Sequence, residues 1–433
     1  MNHLIWYAGL YSVSAALLKL AGFVLFLWLA RILPVADYAT FGLFYALQVG
    51  VITFALAGVV EAVVGQLRGH RSVEQRRVLF ATGNTAFLLL VVAVCVLALL
   101  VFWAFLGQSD IRYVTFFYVL VSGVLLAFAS FQAQIVRLDE KHLSSLCFSF
   151  VAPLAGLGGG AVVFLVNQSV KSFFLGSVVG VSIALIVLWV VRIGVYDIAA
   201  RISDTRAVFL TGAPFIAIAF LGWLSGYGNN YVVNILFESI EVARFTFAFT
   251  LSSIMQLIAS ALNQAWSPRF YRITHELPFE EVESKNRLFF RVQGVTLGFV
   301  GGIVIAVFPS AVNALGGNLV AYASMKLELC LLFSSYVLLS PWWHCQNYYL
   351  AYGNGKGLMR VVLITSVIGV AVWFLLMWLL GPIGIYVGFM AQMFLRTIGV
   401  VIAARRYWPV NVSWGGVAGG LLMILGGFAL SEI

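Results

Sequence analysis

The sequence predicts an all-α, polytopic membrane protein, on three observations. Of its 433 residues, 62% are hydrophobic and only 9% are charged, whereas soluble domains carry about 25% charged residues. Apolar runs long enough to cross a bilayer, about 20 residues each, recur along the chain. These runs lack the alternation of apolar and polar residues that is typical of a transmembrane β-strand. We therefore expect a bundle of membrane-spanning helices.

Twelve spans are predicted in chain order, joined by short connections. They cover about residues 5–32, 39–66, 78–106, 111–136, 143–166, 172–192, 207–236, 242–266, 289–311, 327–350, 358–380 and 383–404. A further apolar stretch, about 414–430, is rich in glycine, which weakens a helix. It forms either a thirteenth span or a segment that lies against the bundle or in the membrane interface.

Helix-breaking residues fall inside three of the spans. They are Pro153 in the fifth span, Pro214 with the run GWLSGYGNN (222–230) in the seventh, and Pro341 in the tenth. Such residues are tolerated in a membrane where neighbouring groups satisfy the freed backbone. The sequence therefore predicts bends in these three spans.

The basic residues predict the orientation of the chain. With the N-terminus in the cytoplasm, 18 of the 25 basic residues fall in inner loops and five in outer connections. Basic loops stay on the cytoplasmic side, so we expect a cytoplasmic N-terminus. The same distribution explains the net charge of +9 as a topology signal and argues against nucleic-acid binding. The two remaining cations, Lys19 and Arg396, fall inside spans.

The loops and the reactive residues argue against an enzyme. The longest predicted loop covers only about residues 267–288, too little for a soluble domain with an active site. Cys95, Cys147, Cys330 and Cys345 form no close pair, and the five histidines are scattered, so neither a disulfide nor a metal site is predicted. The chain has no GxxxxGK[ST] nucleotide-binding motif, and we expect no cofactor.

The chain reads as two repeats of six spans. Shifted by about 204 residues, ILPVADYATFGLFYAL falls on ILFESIEVARFTFAFT with one residue inserted, and Arg192 falls on Arg396. Parallel repeats of this kind occur in transporters. The predicted division is a six-helix lobe over 1–200, a second over 201–410, and an extra apolar segment over 411–433.

Four stretches of the sequence, taken in chain order, resemble segments of one known family of membrane proteins. LARILPVADYATFGLFYAL joins the first two spans, APFIAIAFLGWLSGYGNNYVVNILF forms the seventh, and VARFTFAFTLSSIMQLIASALNQAWSPRFYR the eighth. YGNGKGLMRVVLITSVIGVAVWFLLMWLLGPIGIYVGFMAQ follows near the end. In this order the chain resembles the polysaccharide or O-antigen flippases (Wzx-type) of the MOP superfamily over nearly its whole length. Relatives often have an Asp-Arg pair where this chain reads Gly228 to Asn230.

The resemblance implies a fold, an activity and partners. The fold would be two six-helix lobes around a central cavity. The activity would be alternating-access transport of an undecaprenyl-diphosphate-linked oligosaccharide, as used for O-antigen and lipopolysaccharide, across the bacterial inner membrane. An ion gradient, of H⁺ or Na⁺, or the membrane potential would drive it. The partners would be this anionic lipid and, transiently, the polysaccharide polymerase machinery.

Two deep cations are the first candidates for binding such a lipid. Lys19 lies in the middle of SVSAALLKLAGFVLFLWLAR (12–31), with the small residues Ala15, Ala16 and Gly22 on its face. A lysine in hydrocarbon costs about 2.5 kcal/mol or more, and an ammonium facing a cavity would attract a diphosphate. The alternative is a lysine paired structurally with a neighbour.

Arg396 and Gln392 form an i, i+4 pair in the twelfth span, and a guanidinium binds phosphate bidentately. The alternative is an ion pair of Arg396 with Glu61.

Glu61 itself is a candidate for coupling an ion to transport, since intramembrane carboxylates often relay protons. Arg31, at the outer end of the first span, is a candidate gate or an interfacial charge. His344, near Pro341, is a candidate coupling group or a structural histidine.

Four amides are the weaker substrate candidates. Gln48 and Gln256 occupy paired mid-span positions of the repeat, and Asn229 and Asn230 lie toward the outer end of the seventh span. These side chains suit hydrogen bonds to sugar hydroxyls, and equally hydrogen bonds between helices.

Three other functions stay open. A cation or drug antiporter of the same superfamily would need acidic residues in its cavity, whereas the deep charges here are basic. A flippase for the peptidoglycan precursor lipid fits the same charges. A membrane-bound polysaccharide polymerase or ligase would need a large outer loop with acid, base or arginine residues, and the predicted outer connections are short.

Overall fold

The computed structural model describes residues 2–67, 72–105, 110–198 and 205–431. The ordered elements of this part are helices, without a β-strand. Eleven of them, joined across short breaks, are long and apolar enough to cross a membrane, and a shorter apolar helix follows near the C-terminus. The predicted fold class, an all-α polytopic membrane protein, is confirmed.

The helices are labelled in chain order. The first ten are α1 (Asn2–Ile32), α2 (Val35–Leu56), α3 (Val59–Leu67), α4 (Val73–Phe105), α5 (Asp110–Leu138), α6 (His142–Leu146), α7 (Ala152–Asn167), α8 (Val170–Val190), α9 (Thr205–Leu224) and α10 (Asn229–Leu236). The others are α11 (Ser239–Glu276), α12 (Phe279–Leu315), α13 (Lys326–Leu338), α14 (Ser340–Ala351), α15 (Gly355–Leu380), α16 (Ile383–Ala404) and α17 (Trp414–Leu430). A π-helical turn covers Cys147–Val151, and a 3₁₀-helix covers Gly317–Tyr322.

The residues that predicted bends interrupt two of the predicted spans. The predicted seventh span is divided into α9 and α10 by turns at 225–228. The predicted tenth span is divided into α13 and α14, because Pro341 has no N–H for the helical hydrogen bond to the preceding turn. Neither α13 nor α14 reaches the length of a span, which is why the described residues contain eleven helices of that length where twelve spans were predicted.

The predicted loop at 267–288 is mostly helical. The helices α11 and α12 have 38 and 37 residues, about 55 Å each at 1.5 Å per residue. Both extend beyond a hydrocarbon core of about 30 Å. The connection between them is only Leu277–Pro278. The expected loop is therefore a pair of polar helix ends, which can position side chains precisely.

Contacts divide the chain into two compact units. The first unit comprises residues 1–29 and 36–232, and the second comprises residues 30–35 and 233–433. The first unit therefore extends through α9, past residue 200. The lobes predicted from the repeat, 1–200 and 201–410 with the segment 411–433, stay a proposal.

The first unit is packed by aromatic rings and by glycines. Phe87 of α4 and Phe131 of α5 stack with their ring centroids 4.6 Å apart in the buried core. The helices α7 and α8 approach so closely that a Cβ at Gly180 would lie 2.0 Å from the carbonyl oxygen of Ala155. Small residues let membrane helices pack backbone against backbone in this way.

The second unit incorporates α17 as a packed helix. A Cβ at Gly298 of α12 would lie 2.2 Å from Cα of Gly420. A Cβ at Gly302, one turn further along α12, would lie 2.4 Å from the carbonyl oxygen of Met423. The residue numbers of the contacting positions increase together along both helices, so α17 runs parallel to α12. At its far end, Lys326 Nζ donates to the carbonyl oxygen of Ser431 at 3.0 Å.

Candidate functional site

Lys19 lies on an exposed part of α1 within the first unit. Two turns after Lys19, Phe26 packs α1 against α2: its ring centroid lies 4.5 Å from that of Tyr45, in an edge-on arrangement. The Lys19 side chain itself is exposed, and it has no hydrogen bond or ion pair with any described residue. The predicted small neighbour Gly22 has only Leu157 of α7 within reach, 3.9 Å from an added Cβ. Lys19 is therefore not held in a structural pair within the described part of the chain.

Arg396 lies in the second unit and stacks on an aromatic ring. Its Cζ is 4.6 Å from the ring centroid of Trp342 in α14, a cation–π contact. Its Nε is buried and has no hydrogen-bond partner. Among the described residues of this unit, no carboxylate forms an ion pair with it. Gln392, one turn earlier, is buried behind Gly369 of α15.

The two mid-span glutamines differ in their surroundings. Gln48 is buried in α2, and its Nε2 donates to Oγ of Ser122 in α5 at 2.7 Å. This hydrogen bond joins two helices, which is the structural role that amides often have in membranes. Gln256 lies on α11 with its side chain exposed. Of the two, Gln256 has the accessible amide.

Asn229 and Asn230 begin α10, directly after the break in the seventh span. Both side chains are buried. Asn229 Nδ2 donates weakly to the carbonyl oxygen of Ser225 at 3.4 Å, and its Oδ1 has no partner. Asn230 Nδ2 lies 3.5 Å from the carbonyl oxygen of Gly42 in α2. The structure therefore places both amides at the contact between the broken helix and α2.

Two aromatic side chains complete this contact. Trp223 Nε1 donates to the carbonyl oxygen of Ala46 at 2.9 Å, and the Tyr231 hydroxyl donates to that of Leu43 at 2.8 Å. These donors lie on the two sides of the break. The unwound turn is therefore held by hydrogen bonds to one face of α2.

Glu61 and Arg31 are both exposed at helix ends. Glu61 lies in the first turn of α3, just after a break at which Gly58 has a positive φ of 78°. A Cβ at Gly58 would lie 2.2 Å from the carbonyl oxygen of Gly212, so only glycine fits there. Arg31 lies in the last turn of α1, beside the 3₁₀-helix whose Asn318 Nδ2 donates to the carbonyl oxygen of Ile32 at 3.0 Å.

His344 belongs to a buried polar cluster in the second unit. Its Nε2 lies 3.1 Å from Oε2 of Glu283, and both side chains are buried. The hydroxyl of Tyr348 donates to the same Oε2. Oε1 of Glu283 accepts a 2.7 Å hydrogen bond from the backbone N–H of Asn411. The carboxylate therefore has partners on α14 and on the segment before α17.

The cluster continues onto α11. Trp266 Nε1 donates to Asn286 Oδ1 at 2.8 Å, and Asn286 Nδ2 lies 3.4 Å from the carbonyl oxygen of His344. His344 Nδ1 is buried without a partner. A carboxylate, an imidazole and a phenol in contact can hold and pass a proton, so this cluster has the chemistry of a proton site.

Glu283 and Tyr348 were not predicted as site residues. The predicted loop over 267–288 includes Glu283, and a glutamate in a loop is ordinarily solvated. The signal was present in the helical spacing of Val282, Glu283, Asn286 and Phe290, which share the buried face of α12. Reading the segment as helix would have placed Glu283 inside the protein.

The comparisons with known proteins agree on the fold. A family model described as polysaccharide biosynthesis protein matches residues 6–274. No curated protein shows significant similarity to the chain.

Several solved structures resemble the protein over almost its full length. The lipid II flippase MurJ, in an inward closed conformation, has a TM-score of 0.70 at 12% identity and covers 98% of each chain. A multidrug resistance MATE family transporter of the MOP superfamily, in an inward-facing conformation, has a TM-score of 0.66 at 14% identity over 96% of each chain. A mutant of the Vibrio cholerae MATE transporter VcmN has a TM-score of 0.56 at 14% identity, over 93% of this chain and 94% of its own. At these identities the likeness establishes a shared fold.

Proposed function

The chain belongs to the polysaccharide biosynthesis protein family, and we propose that it is a flippase for an undecaprenyl-diphosphate-linked oligosaccharide. It has the fold of MOP-superfamily transporters, so the proposed activity is transport by alternating access, with no enzymatic step. The proposed location is the bacterial inner membrane with the N-terminus in the cytoplasm. The products would be the polysaccharides of the cell surface, such as O-antigen, with transient contact to the polymerase machinery.

Lys19 provides the main support for the proposal. It lies about 26 Å along α1 from the first described residue, at 1.5 Å per residue. It is exposed within its unit and has no partner among the described residues. Holding a lysine at such depth costs energy, and an anionic substrate that passes it would offset that cost. A diphosphate lipid is such a substrate, whereas a cationic drug would be repelled.

Arg396 supports the same charge preference from the second unit. Its guanidinium rests on Trp342 and forms no ion pair with a described residue of that unit. A guanidinium on an aromatic ring keeps its donors available for phosphate. In this proposal Gln392, Gln48, Gln256, Asn229 and Asn230 are further substrate contacts, of which Gln256 has the exposed amide.

The coupling ion is proposed to be H⁺ or Na⁺. Glu61, Arg31 and His344 are the proposed coupling or gating residues. Of these, His344 has the surroundings of a proton site, because it contacts a buried carboxylate. We add Glu283 to this set, since it is the group with which His344 would share a proton.

The test is complementation of a bacterial cell that lacks its own flippase. Wild-type protein, Lys19→Ala and Lys19→Arg are produced at matched levels, and the lipid-linked oligosaccharide on the outer face is measured. We expect full restoration by the wild type, loss with alanine and partial activity with arginine, because arginine keeps the charge. Lys171→Ala, which removes an exposed lysine from the first turn of α8, is the matched control and should act as wild type. Failure of the wild type to move any lipid-linked oligosaccharide would refute the proposed substrate.

A further inference from the structure

A cavity of about 820 Å³ lies at one end of the first unit. It forms where three helix ends meet: the start of α4, the turn between α5 and α6, and the end of α8. All three ends carry loops that the basic residues assign to the cytoplasmic side. The volume is in the range of small-molecule sites, roughly 300–1,000 Å³.

One wall of the cavity is a segment that buried amides hold in place. Asn84 Nδ2 donates to the carbonyl oxygens of Val195 and Asp197, at 2.9 and 2.7 Å. Gln132 Nε2 donates to the same oxygen of Val195 at 3.0 Å, and its Oε1 accepts from the Val195 N–H at 3.0 Å. Asn84 and Gln132 are almost fully buried. The segment after α8 is therefore a fixed part of the fold, and so are the side chains that it presents.

Two of the cations that line the cavity are already paired. Arg77 Nε lies 2.8 Å from Asp197 Oδ2, and Lys141 Nζ lies 2.7 Å from Asp139 Oδ2. The hydrogen bond from Arg77 holds the pKa of the Asp197 carboxyl below its usual value, so this carboxylate stays charged and paired at neutral pH. Both acidic side chains of the lining are thereby used.

Two further cations, Arg76 and Arg192, have no carboxylate partner in the described residues. Arg76 is half-buried, and its Nε is shielded from solvent without any hydrogen-bond partner. Arg192 is exposed and also lines the cavity. A buried donor without a partner is costly, and a bound acceptor would satisfy it. The lining of the cavity therefore carries two more positive than negative charges, and the Arg76 Nε–H group has no acceptor among the described residues.

Arg192 is held in an unfavourable backbone conformation. Its φ is +56°, and the N–H of Ile193 donates to the carbonyl oxygen of Leu188 at 2.9 Å, as in a C-terminal helix cap. Glycine is the ordinary residue at this position of a cap. Non-glycine residues in such conformations cluster at ligand sites. An arginine here gains a guanidinium in the cavity at the cost of backbone strain.

The last feature of the lining is aromatic. Trp189, at the end of α8, has 65% of its surface exposed, and Tyr196 is partly exposed on the segment that follows. Tryptophan and tyrosine at helix ends favour the headgroup region of a bilayer. The cavity thus combines unpaired arginines with interfacial aromatic rings, which is the composition of a lipid-headgroup site.

We propose that this cavity binds the phosphate-bearing headgroup of a membrane lipid, with Arg76 and Arg192 as its phosphate ligands. Two lipids share this chemistry: an anionic phospholipid that resides there, and the polyprenyl diphosphate carrier before it enters the transport path. The site lies within the first unit and far along the chain from Lys19. The proposal does not require that the protein transports oligosaccharides, because binding alone is measured.

The experiment is a lipid titration of purified protein in detergent, followed by native mass spectrometry. The probes are phosphatidylglycerol, undecaprenyl diphosphate and, as a lipid without phosphate, diacylglycerol. The variants are Arg76→Gln with Arg192→Gln and, as a control that removes two cations elsewhere, Lys356→Gln with Arg360→Gln; both control residues are exposed. We expect the first pair to weaken binding of a phosphate lipid about tenfold, as for the loss of charge-assisted hydrogen bonds, and the control to leave it unchanged.

Arg192→Gly separates binding from folding. Glycine suits the positive φ, so this variant should be as thermally stable as the wild type or more so, and it should still lose affinity. A selective loss for phosphatidylglycerol identifies a resident lipid, and a selective loss for undecaprenyl diphosphate identifies a site for the carrier. Equal losses in the cavity and control variants, unchanged affinity in both, or equally tight binding of diacylglycerol would overturn the proposal.

Discussion

The imidazole of His344 and the carboxylate of Glu283 lie 3.1 Å apart in the buried interior of the second unit. The two residues are 61 positions apart in sequence, on α14 and α12. The carboxylate accepts further hydrogen bonds from Tyr348 and from the backbone of Asn411. A single side chain therefore ties together two helices and the segment that precedes α17.

Replacing Glu283 with alanine should strongly destabilise the second unit. The change leaves His344, Tyr348 and the Asn411 N–H without their common acceptor, and breaking a buried pair costs about 3–5 kcal/mol. The thermal unfolding temperature of the purified protein should be clearly lower than that of the wild type. Glu281→Ala is the matched control, because Glu281 is 59% exposed and pairs with Lys285 at 3.6 Å on the surface. Equal unfolding temperatures for the two variants would contradict this role of Glu283.

Glu283→Gln should separate structure from coupling. Glutamine keeps an oxygen acceptor of similar shape but cannot take up a proton, so stability should fall less than with alanine. If the cluster couples protons to transport, net transport driven by a pH gradient should fall at least tenfold. The measurement is oligosaccharide movement in vesicles with and without an imposed gradient. Gradient-driven transport at the wild-type rate would show that Glu283 is structural only.

The glycine contacts between α12 and α17 should be sensitive to a single methyl group. In Gly298→Ala the new Cβ would lie 2.2 Å from Cα of Gly420, so the two backbones must separate, at a cost of about 1–3 kcal/mol. Gly426→Ala is the control, since nothing lies within 4 Å of its added Cβ. The control should be neutral or stabilised by up to about 1 kcal/mol, because alanine is the better helix former. Thermal unfolding of both variants measures the difference.

The direction of α17 predicts the side of the C-terminus. Since α17 runs parallel to α12 and ends beside Lys326, it should carry the chain across the membrane once more. With the N-terminus in the cytoplasm, a C-terminal alkaline phosphatase fusion should be active and a C-terminal green fluorescent protein fusion dark. The reverse pattern would mean that α17 returns to the side from which it started.

Stacking on Trp342 should position Arg396. Trp342→Phe keeps an aromatic face for the guanidinium, whereas Trp342→Ala removes it, and a cation–π contact is worth about 0.5–2 kcal/mol. If Arg396 binds the diphosphate, apparent substrate affinity should fall with alanine and be largely retained with phenylalanine. The measurement is the concentration dependence of transport. Equal affinities for the two variants would contradict the positioning role.

The fold class followed from the sequence because continuous apolar runs have few structural solutions in a membrane. The break of the seventh span at GWLSGYGNN was also readable, since glycines and asparagines stop a helix. The burial of Glu283 could not be predicted from the sequence, because its helix extends beyond the apolar run and its partner His344 lies 61 residues away. The hydrogen bond of Gln48 to Ser122 likewise depends on which helices are neighbours. Lys19 could be proposed as a site residue from the sequence alone, because a charge inside an apolar run is conspicuous without any knowledge of its neighbours.

The proposed role of Lys19 in binding the diphosphate can be tested by measuring transport by purified protein in vesicles, with wild type compared to Lys19→Met. Methionine has nearly the length of lysine and removes only the charge. We expect wild type to move undecaprenyl-diphosphate-linked oligosaccharide to the opposite leaflet and Lys19→Met to do so at least about tenfold more slowly, as for a lost charge-assisted hydrogen bond. Equal rates at equal protein content would contradict the claim that Lys19 binds the diphosphate.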